Sequence, residues 1–277
     1  MGLRIGTNMA ALAASRALSN TSESVALSYK RLASGQRITS SGDDAAGLSI
    51  SENLRTQIRS MTQAERNAND GISFAQVAEG GLSEISNVLG RLRELAIQAS
   101  SDTIGDHERG YINEEVQTLV QEIDRIAQTT NFSGVKLLTG DGPKTLLEFQ
   151  VGTRNDPADR IQFNTEENDV RISSIGLDGL NYENIDGARD SMDTVDTAIS
   201  KVFSVRAKLG AIQNKLHATV NNLGIAKENF MLARSRIADV DMASETGELV
   251  RQNVLQAAGV AVLAQANSSP MHAIKLL

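Results

Sequence analysis

Few of the side chains able to do chemistry stand in a pattern that would let them do it. Asp43 and Asp44 follow Gly42 in a Gly-Asp-Asp triplet, a spacing at which neighbouring carboxylates can hold the metal ions of a nucleotidyl-transferring site. No third carboxylate, strand pattern or basic channel accompanies them, so the triplet reads as a capping turn in which short acidic side chains accept backbone N–H groups. His107, His217 and His272 are isolated, and His107 with Glu108 lacks the second histidine of a helical zinc motif. A strand-turn-helix serine elbow and a phosphate loop are both missing. Asn20, Asn131 and Asn267 each open an Asn-x-Ser triplet, which is common by chance and means little outside a eukaryotic secretory context. The chain has no Cys, which excludes a disulfide frame and thiolate metal or redox chemistry and leaves the compartment open. No catalytic residue, metal ligand or cofactor site is expected.

The order in this sequence lies in its apolar spacing. Val195, Val202, Leu209, Leu216, Leu223, Phe230 and Ile237 recur every seven residues, and Ala198, Val205, Ile212, Thr219, Ala226, Ala233 and Val240 follow three behind. Two interleaved seven-residue repeats lay one apolar seam along a helix, because a slightly underwound helix returns to the same face every two turns. From Val195 to Val240, at about 1.5 Å per residue, that helix is a rod roughly 70 Å long. Such a rod needs partners of comparable length, from the same chain or from other copies. A second pattern supplies one: Leu54, Met61, Ala68, Ala75, Leu82, Leu89 and Ala96, with Ile58, Ala64, Ile72, Ala78, Ile85, Leu92 and Ala99 beside them. Its small, Ala-rich middle lets a partner approach closely, while Gly71, Gly80 and Gly81 each lower helix propensity by roughly 1 kcal/mol. After a break at 102–106, Ile112, Val116, Leu119, Ile123 and Ile126 mark a third, shorter helix, which folds back as an antiparallel hairpin.

Between 131 and 190 the period changes to two. Leu147, Phe149 and Val151 alternate with polar residues, as do Ile161 and Phe163, around a loop at 152–159. This predicts a short β-hairpin too small to carry a deep pocket of its own. Each end of the chain adds a break and a weak amphipathic helix. Leu18, Val25 and Leu32, with Ser22 and Tyr29, mark the first; Val250, Val254, Leu255, Ala258, Ala261, Val262, Leu263 and Gln265 mark the last, with Pro270 after it. Neither can bury its face alone, so the two should pair and be completed by neighbouring subunits. The expected organisation is a mainly α protein: a long antiparallel coiled-coil bundle at 46–239, with a β-hairpin region at about 141–187, and a discontinuous terminal domain at 1–45 and 240–277.

Composition agrees with slender helical seams. Of 277 residues only 3% are aromatic, none is Trp, and three are Pro. A net charge of -7 argues against nucleic-acid binding. The first forty residues depart from it, with Arg4, Arg16, Lys30, Arg31 and Arg37 against Glu23 alone, which reads as a solvated helix face or a pairing surface. No stretch approaches the roughly 20 apolar residues that cross a bilayer, so membrane insertion is not expected. The N-terminus does not read as a cleavable secretory signal, so an exported chain would leave by another route.

The motifs carry a resemblance. The run LASGQRITSSGDDAAGLSISE from Leu32 to Glu52 resembles the N-terminal region of bacterial flagellins, as do Asn69-Asp-Gly-Ile-Ser73 and Arg91-Leu-Arg-Glu-Leu-Ala-Ile-Gln98. Glu122-Ile-Asp-Arg-Ile126 and Asn131-Phe-Ser-Gly-Val-Lys-Leu-Leu138 are similar to the family's short helix and following turn, and RQNVLQAAGVAVLAQAN from Arg251 to Asn267 is equally typical. The poorest match, 141–187, falls where flagellins carry variable outer domains. The resemblance implies a homopolymeric building block of the extracellular flagellar filament, its terminal helices paired as an inner tube around the export channel and its long helices forming an outer one. It also implies export unfolded through the flagellar type III pathway, growth beneath a filament cap, contact with hook-junction proteins, and an export chaperone covering Val250 to Leu263. Some flagellins are recognised by a Toll-like receptor through the segment matching Arg91 to Gln98 and the helix around Glu115; Arg91, Leu95 and Glu115 keep the expected types, and would serve subunit packing in any case. A hook–filament junction protein, or an adhesin or enzyme displayed on a filament, are the alternative readings.

Overall fold

The computed structural model describes residues 7–141 and 146–274, with side chains as far as Ser268. Arg4, the start of the hairpin region at 142–145 and the side chain of Pro270 lie outside the described residues. The chain forms two compact units: residues 59–227, and residues 1–58 with 228–277. The unit boundaries fall inside two long helices rather than at the breaks in the sequence pattern. In order, the helices are α1 (Met9–Ser34), α2 (Ala45–Ala99), α3 (Asp106–Thr129), α4 (Ile172–Ile175), α5 (Ile185–Ala238) and α6 (Met242–Ile274). Between α3 and α4 come β1 (Asn131–Phe132), β2 (Val135–Lys136), β3 (Leu146–Gln150) and β4 (Arg160–Asn164). The protein is mainly α with a small β region, as its periodicity predicts.

In the 59–227 unit α2 and α5 run antiparallel, in a register recorded by polar pairs. Arg93 donates from Nε to Asp196 at 2.6 Å, Gln213 donates to Glu79 at 3.0 Å, and Lys227 pairs with Glu65. Beneath these pairs lies the seam: Leu82, Leu89, Val195, Val202, Leu209 and Leu216 are fully buried and Met61 nearly so. The α3 helix closes the third side with Ile112, Val116, Val120 and Ile123. Its start is fixed by the buried Arg109, which donates to the carbonyls of Ala99 and Ser101 and to Asp106, so the last turn of α2 keeps no bare carbonyl there. Tyr182 is buried between α2 and α3, donates to Leu92 O at 3.2 Å, and has its pKa pushed up to about 12 by burial.

The hairpin of β3 and β4 pairs antiparallel, Leu147 opposite Phe163 and Phe149 opposite Ile161. It serves as packing for α2. Phe74 sits edge-on to Phe132, Phe149 and Phe163 at 5.8, 5.5 and 4.7 Å between ring centroids, a favoured geometry for aromatic pairs. Two of the glycines that weaken the α2 pattern have a packing reason: a Cβ at Gly81 would lie 2.6 Å from Thr130 Oγ1, and one at Gly71 would lie 3.2 Å from Leu216.

The break before the last helix, expected from turn-forming residues over 239–247, is shorter than those signals imply. The α6 helix starts at Met242, because Asp241 caps it by accepting from the Ala243 and Ser244 N–H groups, and Gly247 falls inside the helix. It also continues beyond Pro270 to Ile274. A proline removes one helical hydrogen bond and crowds the preceding turn, a cost of about 3 kcal/mol that flanking turns can carry.

Leu89→Ala should cost roughly 2–5 kcal/mol by deleting buried methyl groups, while Phe203→Ala, on a side chain 51% exposed, should stay within about 0.5 kcal/mol. Denaturant unfolding of the full chain reads the difference, and equal losses would show that the seam is not the core.

Candidate functional site

The unit of residues 1–58 and 228–277 is built on α1 and α6 lying antiparallel. Asn8 donates to Ala266 O at 2.8 Å, Gln256 donates to Ser22 Oγ at 3.2 Å, and Arg31 faces Glu245 at 3.7 Å. Near the middle, a Cβ at Gly259 would meet Leu18 Cδ1 at 3.4 Å, so the helices come close there.

What these helices bury is slight. Among the described residues the only buried hydrophobic side chains of this unit are Val25, Ile38 and Ala238. The face of α6 turned inward carries Glu245, Glu248, Leu249, Gln252, Gln256, Gly259, Leu263 and Ala266, all half-buried. The apolar row picked out by the sequence faces the other way: Val250, Val254, Leu255 and Val262 are 57%, 64%, 49% and 58% exposed, and only Leu263 turns toward α1. Met9, Leu12, Met231, Leu232, Met242 and Val260 are exposed as well. Tyr29, expected on the paired face, is exposed, and Ser28 is buried in its stead. The α5 seam thins in the same direction: Leu223 is half-buried, as are Phe230, Ile237 and, on α2, Leu54.

Between α1 and α2 the chain turns on its acidic triplet. Asp43 accepts from the backbone N–H and hydroxyl of Thr39 and from the Ser40 N–H, and Asp44 accepts from the Gly47 N–H at 2.9 Å. Both carboxylates cap backbone. His107 is engaged with Tyr111, ring nitrogen to hydroxyl at 3.1 Å, and no group of three metal-ligating side chains gathers among the described residues.

In the other unit Arg91 and Glu115 meet at the surface. Arg91 donates from Nε and Nη2 to Glu115 at 3.1 and 3.0 Å and from Nη1 to Glu94 at 3.1 Å, bonds that hold its guanidinium more firmly charged. Leu95 does not join them. It is only 1% exposed and packs in the core with Leu92 and Ala96, because the inward face of α2 is broader than a two-position heptad stripe. As a surface contact residue Leu95 is corrected.

A rod-like helical seam that is dry in one unit, and a terminal helix pair whose larger apolar face is left uncovered in the other, define a self-assembling structural protein. Comparison with known proteins is specific. Residues 5–142 match the bacterial flagellin N-terminal helical region and residues 192–277 the bacterial flagellin C-terminal helical region. The chain is 41% identical to the flagellar filament 33 kDa core protein of Treponema phagedenis, over 99% of both chains, and 42% identical to the flagellin of Halalkalibacterium halodurans, over 90% of both. The crystal structure of Bacillus cereus flagellin matches 57% of this chain and 88% of its own, with 30% identity and a TM-score of 0.51. The chain belongs to the bacterial flagellin family, whose members are structural proteins of the extracellular flagellar filament. No helix among the described residues is long and apolar enough to cross a membrane.

The turn makes a pH prediction. Hydrogen bonds from Thr39, the backbone N–H first, lower the Asp43 carboxyl from 3.8 to about 2. A depressed folded pKa means that the turn's stabilisation is complete above the unfolded value and is lost as pH falls through about 2. Carboxyl NMR titration of the full chain should place Asp43 near 2; a midpoint near 3.8 would show the cap is not formed.

Proposed function

We infer that this protein is a structural rather than catalytic subunit, and that it polymerises by covering the bare faces of α1 and α6 with those of neighbouring copies. The observation that carries this is the direction of the α6 valines. A helix that turns glutamines and a glycine toward its own partner, and Val250, Val254 and Val262 outward, gains burial only from other molecules. A contact that repeats head to tail without closing generates an open helical polymer, here the motor-driven filament used for swimming.

The same weakness suits export. A terminal unit with three buried hydrophobic side chains among its described residues, one of them in the helix pair, unfolds at little cost, as passage through the flagellar type III pathway would require. The row of Val250, Val254, Leu255, Val262 and Leu263 is the face an export chaperone would cover. Since Leu263 is turned toward α1 in the folded chain, a chaperone that reaches it engages α6 before α1 pairs with it. Filament cap and hook-junction proteins would meet the same surfaces at the two ends of the polymer. The net charge of -7 disfavours a nucleic acid as a partner. For a host Toll-like receptor, the accessible patch is Arg91 with Glu94 and Glu115, and Leu95 contributes only by supporting it from below.

Two experiments test this reading. Purified subunits should grow long filaments from seeds, seen by electron microscopy, and Val254→Glu should abolish growth while leaving monomer helicity unchanged; a hook–filament junction protein would give no long filaments from any seed. Amide exchange of the monomer should be far faster over 7–40 and 245–268 than in α2, and ends protected as well as α2 would contradict the assembly reading. For the receptor, Arg91→Ala with Glu115→Ala should lower a reporter-cell response about tenfold, the effect of losing an interface hot spot; an unchanged response removes that partner.

A further inference from the structure

The contact face between α1 and α6 is poor in register information. On α1 it is Ala11, Ala14, Leu18, Ser22 and Val25; on α6 it is Leu249, Gln252, Gln256, Gly259 and Leu263. Uncharged side chains at heptad spacing discriminate weakly against a slip of one or two turns, and coiled-coil pairs take their register from polar devices; within this pair these are the Ser22–Gln256 hydrogen bond and the Arg31–Glu245 ion pair. Beyond the helix pair, the described residues of the unit add a further such device at its root. Where α1 ends at Gly35, in a left-handed cap with φ 67°, the chain forms an isolated antiparallel bridge between Gln36 and Asp239. Arg37 N–H donates to Ala238 O at 2.7 Å and Val240 N–H donates to Gly35 O at 3.1 Å. The Arg37 guanidinium adds a third bond, Nη2 to Ile237 O at 2.7 Å, on a carbonyl in the last turn of α5, where a cation also complements the helix dipole. Two segments 200 residues apart are joined at the root of the helix pair.

Burial is concentrated at the same place. Among the described residues of the unit, those that are buried, Val25, Ser28, Ile38, Gly47, Ser51 and Ala238, lie between 25 and 51 or at the end of α5, and α6 has none among its described side chains. The unit is therefore firmest at the bridge and loosens along α1 and α6 away from it.

We propose that Arg37 and the Gln36–Asp239 bridge form a latch that sets the register of the terminal helices. The latch closes first and holds the roots of α1 and α6 in place. Ser22 then faces Gln256, and Leu18 faces Gly259, as the pair zips outward. Arg37 acts here as a positioning residue: it bonds the end of α5 and thereby decides which face α6 presents to a neighbouring copy. This rests on the assembly reading, in which the outward row of α6 must be presented in one register.

Because the chain has no Cys, engineered pairs report register cleanly. In full-length chains grown from wild-type seeds, Ser22→Cys with Gln256→Cys should cross-link under mild oxidation, and Ser22→Cys with Gln252→Cys, one turn displaced, should not. Adding Arg37→Ala should slow seeded elongation about tenfold, the effect of losing one charged hydrogen bond, and shift cross-linking toward the displaced pair. Arg37→Lys, which keeps a cationic donor, should recover part of both. The thermal transition of the 59–227 unit, which Arg37 does not touch, should be unchanged. If Arg37→Ala leaves cross-linking entirely in the Ser22–Gln256 pair, the latch assignment is overturned, whatever the elongation rate. Failure of the parent chain to elongate seeds would instead sink the assembly reading.

Discussion

Apolar surface too thin to bury itself is the constraint from which the rest of this protein follows. Ordering a helix costs conformational entropy at every residue, and water-excluded side chains must offset it. The α2–α5 seam does so with a row of leucines, isoleucines and valines at or near zero exposure. The 26 residues of α1 and 33 of α6 offer each other mainly alanine, serine, glutamine and glycine, with Leu18, Val25, Leu249 and Leu263 among them, and α6 holds its valines outward. One seam is complete within a single chain. The other is half a seam, and a half seam in water is a request for a second copy.

The long helices were legible because heptads repeat: seven successive apolar positions from Val195 to Ile237 leave no competing period. Direction was legible too, since a break between two helices of unequal length permits little but a fold back. Register was not. It depends on Arg93 finding Asp196 and Lys227 finding Glu65, and a sequence rich in exposed charges offers many equivalent pairings. Leu95 illustrates a second limit. It sits beside a heptad Ala96, so a two-position stripe leaves it outside, yet the helix is enclosed on more than one side and buries it. The α6 row shows a third. Periodicity locates the most apolar face of a helix, and does not say whether the partner for that face belongs to the same molecule. Where a protein exists to polymerise, the strongest stripe in the sequence can be the one the isolated chain leaves bare.

The aromatic side chains divide along the same line. Phe74, Phe132, Phe149 and Phe163 are four of the six phenylalanines in the chain, and all serve the one place where a helix, a tight turn and a hairpin must be fixed to one another. The alternation of Leu147, Phe149 and Val151 predicts the strand, but nothing in the Ala-rich α2 marks Phe74 as the centre of a cluster. Large, rigid rings suit a core that must form once and remain. The terminal pair contains none in its contact face. There, small side chains let two helices approach closely while burying little surface. Rings hold the helix, turn and hairpin of one unit to one another, and alanines around Phe74 would leave the hairpin with nothing to hold; in the other unit small side chains leave the terminal pair with little buried surface.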